Sequence, residues 1–153
     1  MKHAFVMTSF DEEYESVINH SLQIVEEKYY IKTHLMNKPY GEVSDDLFPN
    51  IRGMMHCCDF GIGVFFPDSK TKGINANLSV EVGYMLGLNK KICYLKDKKL
   101  PALNTDILSK IYTEYKKNEN SKGGKRIPTM DDALLNWING VKDELKIKSK
   151  NIH

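Results

Sequence analysis

The chain has 153 residues, 41% of them hydrophobic, and a formal net charge of +2. That is enough apolar material for one domain with its own core, which excludes a disordered chain. The near-balanced charge gives no electrostatic footprint for nucleic acid, and no apolar run is long enough for a membrane helix.

Three cysteines, two of them adjacent at Cys57 and Cys58, make a poor disulfide framework and fit a reducing, cytoplasmic setting. His56-Cys57-Cys58 lacks the ligand spacing and the second cluster of a zinc site, so no metal and no cofactor is expected. No early segment has the pattern of a signal peptide. The local basic runs, Lys96–Lys99, Lys116–Arg126 and the tail after Leu145, read as solvated faces or mobile ends.

Ala4–Phe10 is a short apolar run, predicted as a buried strand. Asp11 opens a helix with acidic residues in its first turn, and Tyr14, Val17, Ile18, Leu22 and Val25 recur at helical spacing. Tyr29–Met36 is β-branched and aromatic and reads as a second strand. Asn37–Val43, with Pro39 and Gly41, is a loop. Ser44 is the expected N-cap of a helix carrying Leu47, Ile51, Met54 and Met55, with Pro49 delaying or kinking it.

Asp59–Phe66 is a central strand, followed by a polar loop over Pro67–Ala76. Asn77 is the expected N-cap of a short helix, and Lys91–Leu95 is the next strand. Leu100–Asn104 is a turn, and Leu108–Tyr115 fits either a strand or a short helix. Thr129 caps a last helix with Leu134, Trp137, Ile138, Val141 and Leu145 on one stripe. The expected organisation is one domain over residues 1–147, with a disordered tail over 148–153. The alternation of strands and helices predicts an α/β fold with a parallel sheet covered on both faces.

In such folds ligands sit beyond the carboxyl ends of the strands. Thr8–Asp11, Pro67–Ser69 and the start of the Asn77 helix gather there. From Asn77 to Leu88 that helix carries one charge, Glu81. A carboxylate among apolar residues is costly to bury unless it pairs or does chemistry. One turn into the helix, it also lies near the positive end of the dipole. Gly83 and Gly87 are predicted to mark a close backbone approach.

A carboxylate beneath a ribosyl carbon can stabilise its oxocarbenium-like charge or trap it as an ester. Phe10 or Tyr84 can stack on a base, and backbone N–H groups near Ser9 or Asn77 can hold phosphate. The alternative is an exposed Glu81 serving only the helix dipole, with Phe10 and Tyr84 in the core or rim, Ser9 and Asn77 as caps and Asp68 as a loop carboxylate.

Four segments together carry a family resemblance: FVMTSFDEEY over Phe5–Tyr14, CDFGIGVF over Cys58–Phe65, NLSVEVGY over Asn77–Tyr84 and GLNKKI over Gly87–Ile92. They resemble the TIR-like and nucleoside 2-deoxyribosyltransferase-like superfamily over roughly Phe5 to Tyr115. The resemblance implies a flavodoxin-like three-layer sandwich with a mainly parallel sheet of about five strands. It implies that Glu81 is the catalytic carboxylate and that Ser9 and Phe10 help form the pocket. Asp68 is the nearest match to an aspartate that the transferase branch uses.

Three functions follow as expectations. One is an N-glycosidase acting on NAD or a related nucleotide, as in antiphage defence, with its activating signal arriving through another protein or a small ligand. Another is a deoxyribosyltransferase or nucleoside hydrolase. The third is a silent nucleotide-binding or assembly module, working as a homo-oligomer or with a partner protein. A phosphoacceptor receiver domain shares the fold class, but no lysine position follows a clear fifth strand.

Overall fold

The computed structural model of the chain describes residues 1–35, 47–67, 76–100, 112–117 and 127–150, with the side chains of all but residues 47–49 and 76–77. In chain order the elements are β1 (Lys2–Thr8), α1 (Glu12–Lys28), β2 (Ile31–Leu35), α2 (Leu47–Cys57), β3 (Phe60–Phe65), α3 (Ala76–Gly87), β4 (Lys91–Asp97), β5 (Tyr112–Tyr115) and α4 (Met130–Val141). The ambiguous segment before Tyr115 thus contributes a strand. The five strands form one parallel sheet in the order β2-β1-β3-β4-β5. This is the flavodoxin-like order, and its switch point lies between β1 and β3.

Alternation along the buried strands sorts the core into two layers. Ala4, Val6, Phe60, Ile62, Val64, Cys93 and Leu95 face α1 and α4, packing with Tyr14, Ile18, Leu22, Val25, Leu134 and Ile138. Phe5, Met7, Phe65, Ile92 and Tyr94 face the other way, against Ile51 and Met55 of α2 and Leu78, Val82 and Met85 of α3. Helices therefore cover both faces, completing a three-layer α/β sandwich.

Thr129 caps α4 as the sequence predicts, and Asp11, expected to open α1, is its N-cap. The Asp11 side chain accepts from Glu13 N at 2.9 Å, and Thr129 Oγ1 accepts from Asp132 N at 3.4 Å. Pro49 sits in the first turn of α2, where its missing N–H has no intrahelical acceptor to lose. Ser44 and the Asn37–Val43 loop lie outside the described residues, as do Asn104 and the stretch from 118 to 126.

Several expectations are corrected. α3 begins at Ala76, so Asn77 lies inside the first turn rather than at the N-cap. A Cβ at Gly83 or Gly87 would meet nothing within 4 Å among the described residues, so neither glycine marks a close approach to them. The close approach is on β3, where a Cβ at Gly61 would come within 2.8 Å of Met7 Cε and 3.1 Å of Met85 Cε.

The Lys96–Lys99 run is not a solvated face. β4 continues to Asp97, leaving Lys96 2% and Asp97 1% exposed. The Lys96 ammonium is satisfied by the carbonyls of Leu100 at 2.7 Å and Asp97 at 3.3 Å, and by Glu114 Oε1 at 3.4 Å. Nor do Lys148–Lys150 fray. Tyr30 N donates to Lys148 O, Lys150 N donates to Lys28 O, both at 2.8 Å, and Tyr29 bridges Ser149. Residues 151–153 lie outside the described residues. No helix of the described residues is long and apolar enough to cross a membrane.

Candidate active site

The carboxyl end of β1 is the first component. Strand pairing runs to Thr8 opposite Val64 of β3, and the chain then passes through Ser9 and Phe10 before Asp11 caps α1. Ser9 is half-buried, and Phe10 is 46% exposed. Both therefore sit at the switch point, where β1 and β3 send their next elements to opposite faces of the sheet.

Glu81 is the second component, and the helix geometry orients it. Leu78, Val82 and Met85 point at the sheet. At 100° per residue, Glu81 is turned about 60° from that direction and Tyr84 about 60° further on the same flank. The Tyr84 hydroxyl and His56 Nε2 of α2 lie 2.9 Å apart, with the rings edge to face at a centroid distance of 5.7 Å. That contact makes this flank of α3 the one facing α2. Both helices lie over β1. Glu81 thus lies buried on the α2-facing flank of α3, in the half of the helix nearer the carboxyl edge of the sheet.

Glu81 is 5% exposed, so the exposed-dipole alternative does not describe it. The chain engages the residue, while its Oε1 atom is buried and accepts no hydrogen bond among the described residues. A buried carboxylate at this edge is an expensive arrangement. Tyr94, on the same face of the sheet, also has a buried hydroxyl with no hydrogen bond among the described residues, and burial raises its pKa.

The sequence-predicted residues divide. Ser9 and Phe10 are placed at the switch point, and Glu81 on the α2-facing flank of α3. Tyr84 is on the Glu81 flank, but its hydroxyl is directed to His56. Asn77 has helical backbone in the first turn of α3, and Asp68 lies outside the described residues. Among the described residues no group of three or more His, Cys, Asp or Glu side chains is arranged to hold a metal ion.

Sequence reasoning missed a second buried acid at the same edge. Asp97 accepts from the Tyr14 hydroxyl at 2.5 Å and from Lys99 N at 2.8 Å. Burial, then the bond to Asp97, raises the Tyr14 phenol well above its usual range. The Tyr14 ring stacks on Phe66 with centroids 4.0 Å apart, and the Tyr115 hydroxyl donates to Phe65 O at 3.2 Å. These contacts brace the end of β3, from which the chain leads toward α3. The available signal was the apolar KICYL run, which extends naturally by two residues. A cavity of about 450 Å³ lined by Ser16, Val17, His20, Lys117 and Thr129–Asp131 lies on the α1/α4 side, away from Glu81.

No protein-family model matches the chain, and no curated protein does. Among solved structures it is similar to a 2-desoxiribosyltransferase from Leishmania mexicana, with a TM-score of 0.60 and 12% sequence identity, covering 90% of this chain and 97% of that one. The chain has a deoxyribosyltransferase-like fold.

Proposed function

We propose that the chain is an N-glycosidase that breaks the bond between a base and the anomeric carbon of a nucleotide or nucleoside. The observation that carries this reading is the placement of Glu81: a nearly fully buried carboxylate on the α2-facing flank of α3, the helix that follows the switch-point strand β3.

In the proposed reaction a Glu81 carboxylate oxygen attacks the anomeric carbon. The carbon–nitrogen bond breaks and its electron pair leaves with the base. Water then attacks the same carbon, loses a proton, and the ester bond opens to restore the carboxylate. A pyridinium leaving group needs no protonation, which makes NAD the first substrate to test, with a defence role as one setting for that activity. Ser9 and Phe10 would position the sugar and base. Asn77, Tyr84 and Asp68 remain candidates for the same task.

A second reading, deoxyribosyl transfer to another base, is favoured by the fold likeness to a protein of that title. It differs only in the acceptor that opens the ester.

The test is base release from NAD and from deoxynucleosides, with and without a second free base, by wild type and Glu81→Gln. Release by wild type and its loss in the variant are expected. Equal rates for both proteins would remove Glu81 from the chemistry, and exchange with an added base would select the transferase.

A further inference from the structure

Two imidazoles meet at the outer strand of the sheet, where β2 lies beside β1. Phe5 faces α2 and α3, and His3 stands two residues before it, on the same face of β1. His34 is paired directly with Phe5 in the parallel register and shares that face, so His3 and His34 are diagonal neighbours across the two strands. His3 Nδ1 and His34 Nε2 lie 2.8 Å apart, in near-parallel rings with centroids 5.1 Å apart. Both residues are half-buried.

A contact this short between two ring nitrogens needs one hydrogen between them: one nitrogen donates and the other accepts. With both rings neutral, the donor ring keeps a lone pair on its remote nitrogen, and the acceptor ring carries its own hydrogen there. A first added proton goes to the donor's remote nitrogen. It leaves the bond in place and makes it charge-assisted. A second has only the acceptor's facing nitrogen to take. It removes the lone pair that accepts the bond and sets two cations against each other.

We infer that His3 and His34 form an acid-sensitive clasp on β2, closed with up to one added proton and opened by the second. The surroundings resist that second charge. Burial, then the charges of His3 and Lys32, hold His34 below its ordinary value, and Glu26 of α1 works the other way. The Glu26 carboxylate is directed to Thr33, accepting from its N at 2.8 Å and its Oγ1 at 2.7 Å. Asp59 accepts from His3 N at 2.8 Å and lies 3.9 Å from Lys2 Nζ. The described part of α2 adds Arg52 and His56, and the His56 ring meets Tyr84. A histidine whose folded value is lowered contributes stability that is present above its ordinary 6.5 and is lost as pH falls through the folded value.

The test follows both rings by imidazole nitrogen NMR from about pH 8 to about pH 4, with amide exchange read alongside, in wild type and His34→Gln. The glutamine side chain can still bond to His3 but takes up no proton. In wild type the pair should take its protons in two steps about one pH unit or more apart. Through the second step the amides of β2 should lose protection about tenfold relative to those of β4. His34→Gln should keep that relative protection over the same range.

Two rings that titrate independently, in coinciding steps, would overturn the clasp. An equal loss of β2 protection in His34→Gln would overturn it too, since other groups would then be its source. The step separation is read on wild type alone, so it decides the matter even where the variant fails to fold.

Discussion

Two acids are buried at the same edge of one sheet, and they are buried differently. Asp97, at the end of β4, lies on the α1 side, with Tyr14 and the Lys99 amide donating to its two oxygens. Glu81 lies on the α2/α3 side, flanked by Leu78, Val82 and Met85, with Oε1 outside any hydrogen bond among the described residues. Burial alone does not separate them, at 1% and 5% exposure. Position does: Asp97 is held on the α1 side by Tyr14 and the Lys99 amide, whereas Glu81 stands on the α2-facing flank of α3.

The sharpest way to break this contrast is to neutralise each acid. Glu81→Gln should lower base release on the order of 10³-fold, with less effect on the melting temperature than Asp97→Ala. Asp97→Ala should do the reverse in emphasis. It strands the Tyr14 hydroxyl and the Lys99 amide, costing about 3 kcal/mol, or about 6–12 °C in a scanning calorimeter. A destabilised Glu81→Gln beside a stable Asp97→Ala would invert the assignment.

Smaller perturbations sharpen it. Tyr14→Phe keeps the stack on Phe66 but removes the donor to Asp97, and should cost about 1–2 kcal/mol in urea titrations. The alkaline limb of stability should also differ between the two sides. Burial, followed by the Asp59 charge, pushes the Cys58 thiol up to about 11 from 9.0. Its folded-state value is raised, so its contribution is fully present below pH 9 and is lost as pH rises through about 11. Tyr14 and Tyr115, both raised mainly by burial from 10.0, add losses only above pH 10. Cys58→Ala should therefore lessen the decline between pH 9 and 10 in urea midpoints, leaving the share of Cys93, whose thiol burial also raises from 9.0, and the steeper part above. The smallest effect is chemical: a thiol reagent should modify exposed Cys57 in the native protein, and Cys58 and Cys93 only on unfolding.

Much of the fold was legible because the signals were local. The apolar runs at Phe60–Phe65 and Ile92–Leu95, the caps at Asp11 and Thr129, and the periodic stripe of α4 each state their element within a few residues. Glu81 was legible for the same reason, as one charge in an apolar helix. Asp97 was not, because its partner Tyr14 stands 83 positions away. A charge run reads as solvated until the strand beneath it is known to continue. The glycines misled in the same manner: spacing in α3 suggested contact at Gly83 and Gly87, but only the assembled layers show that the crowding is at Gly61.

Tyr30 accepts from Lys2 N on one side and donates to Lys148 O on the other. Residues 2 and 148 are therefore about two strand spacings apart, near 10 Å. Tyr30 thus staples the segment after α4 to the amino end of β1.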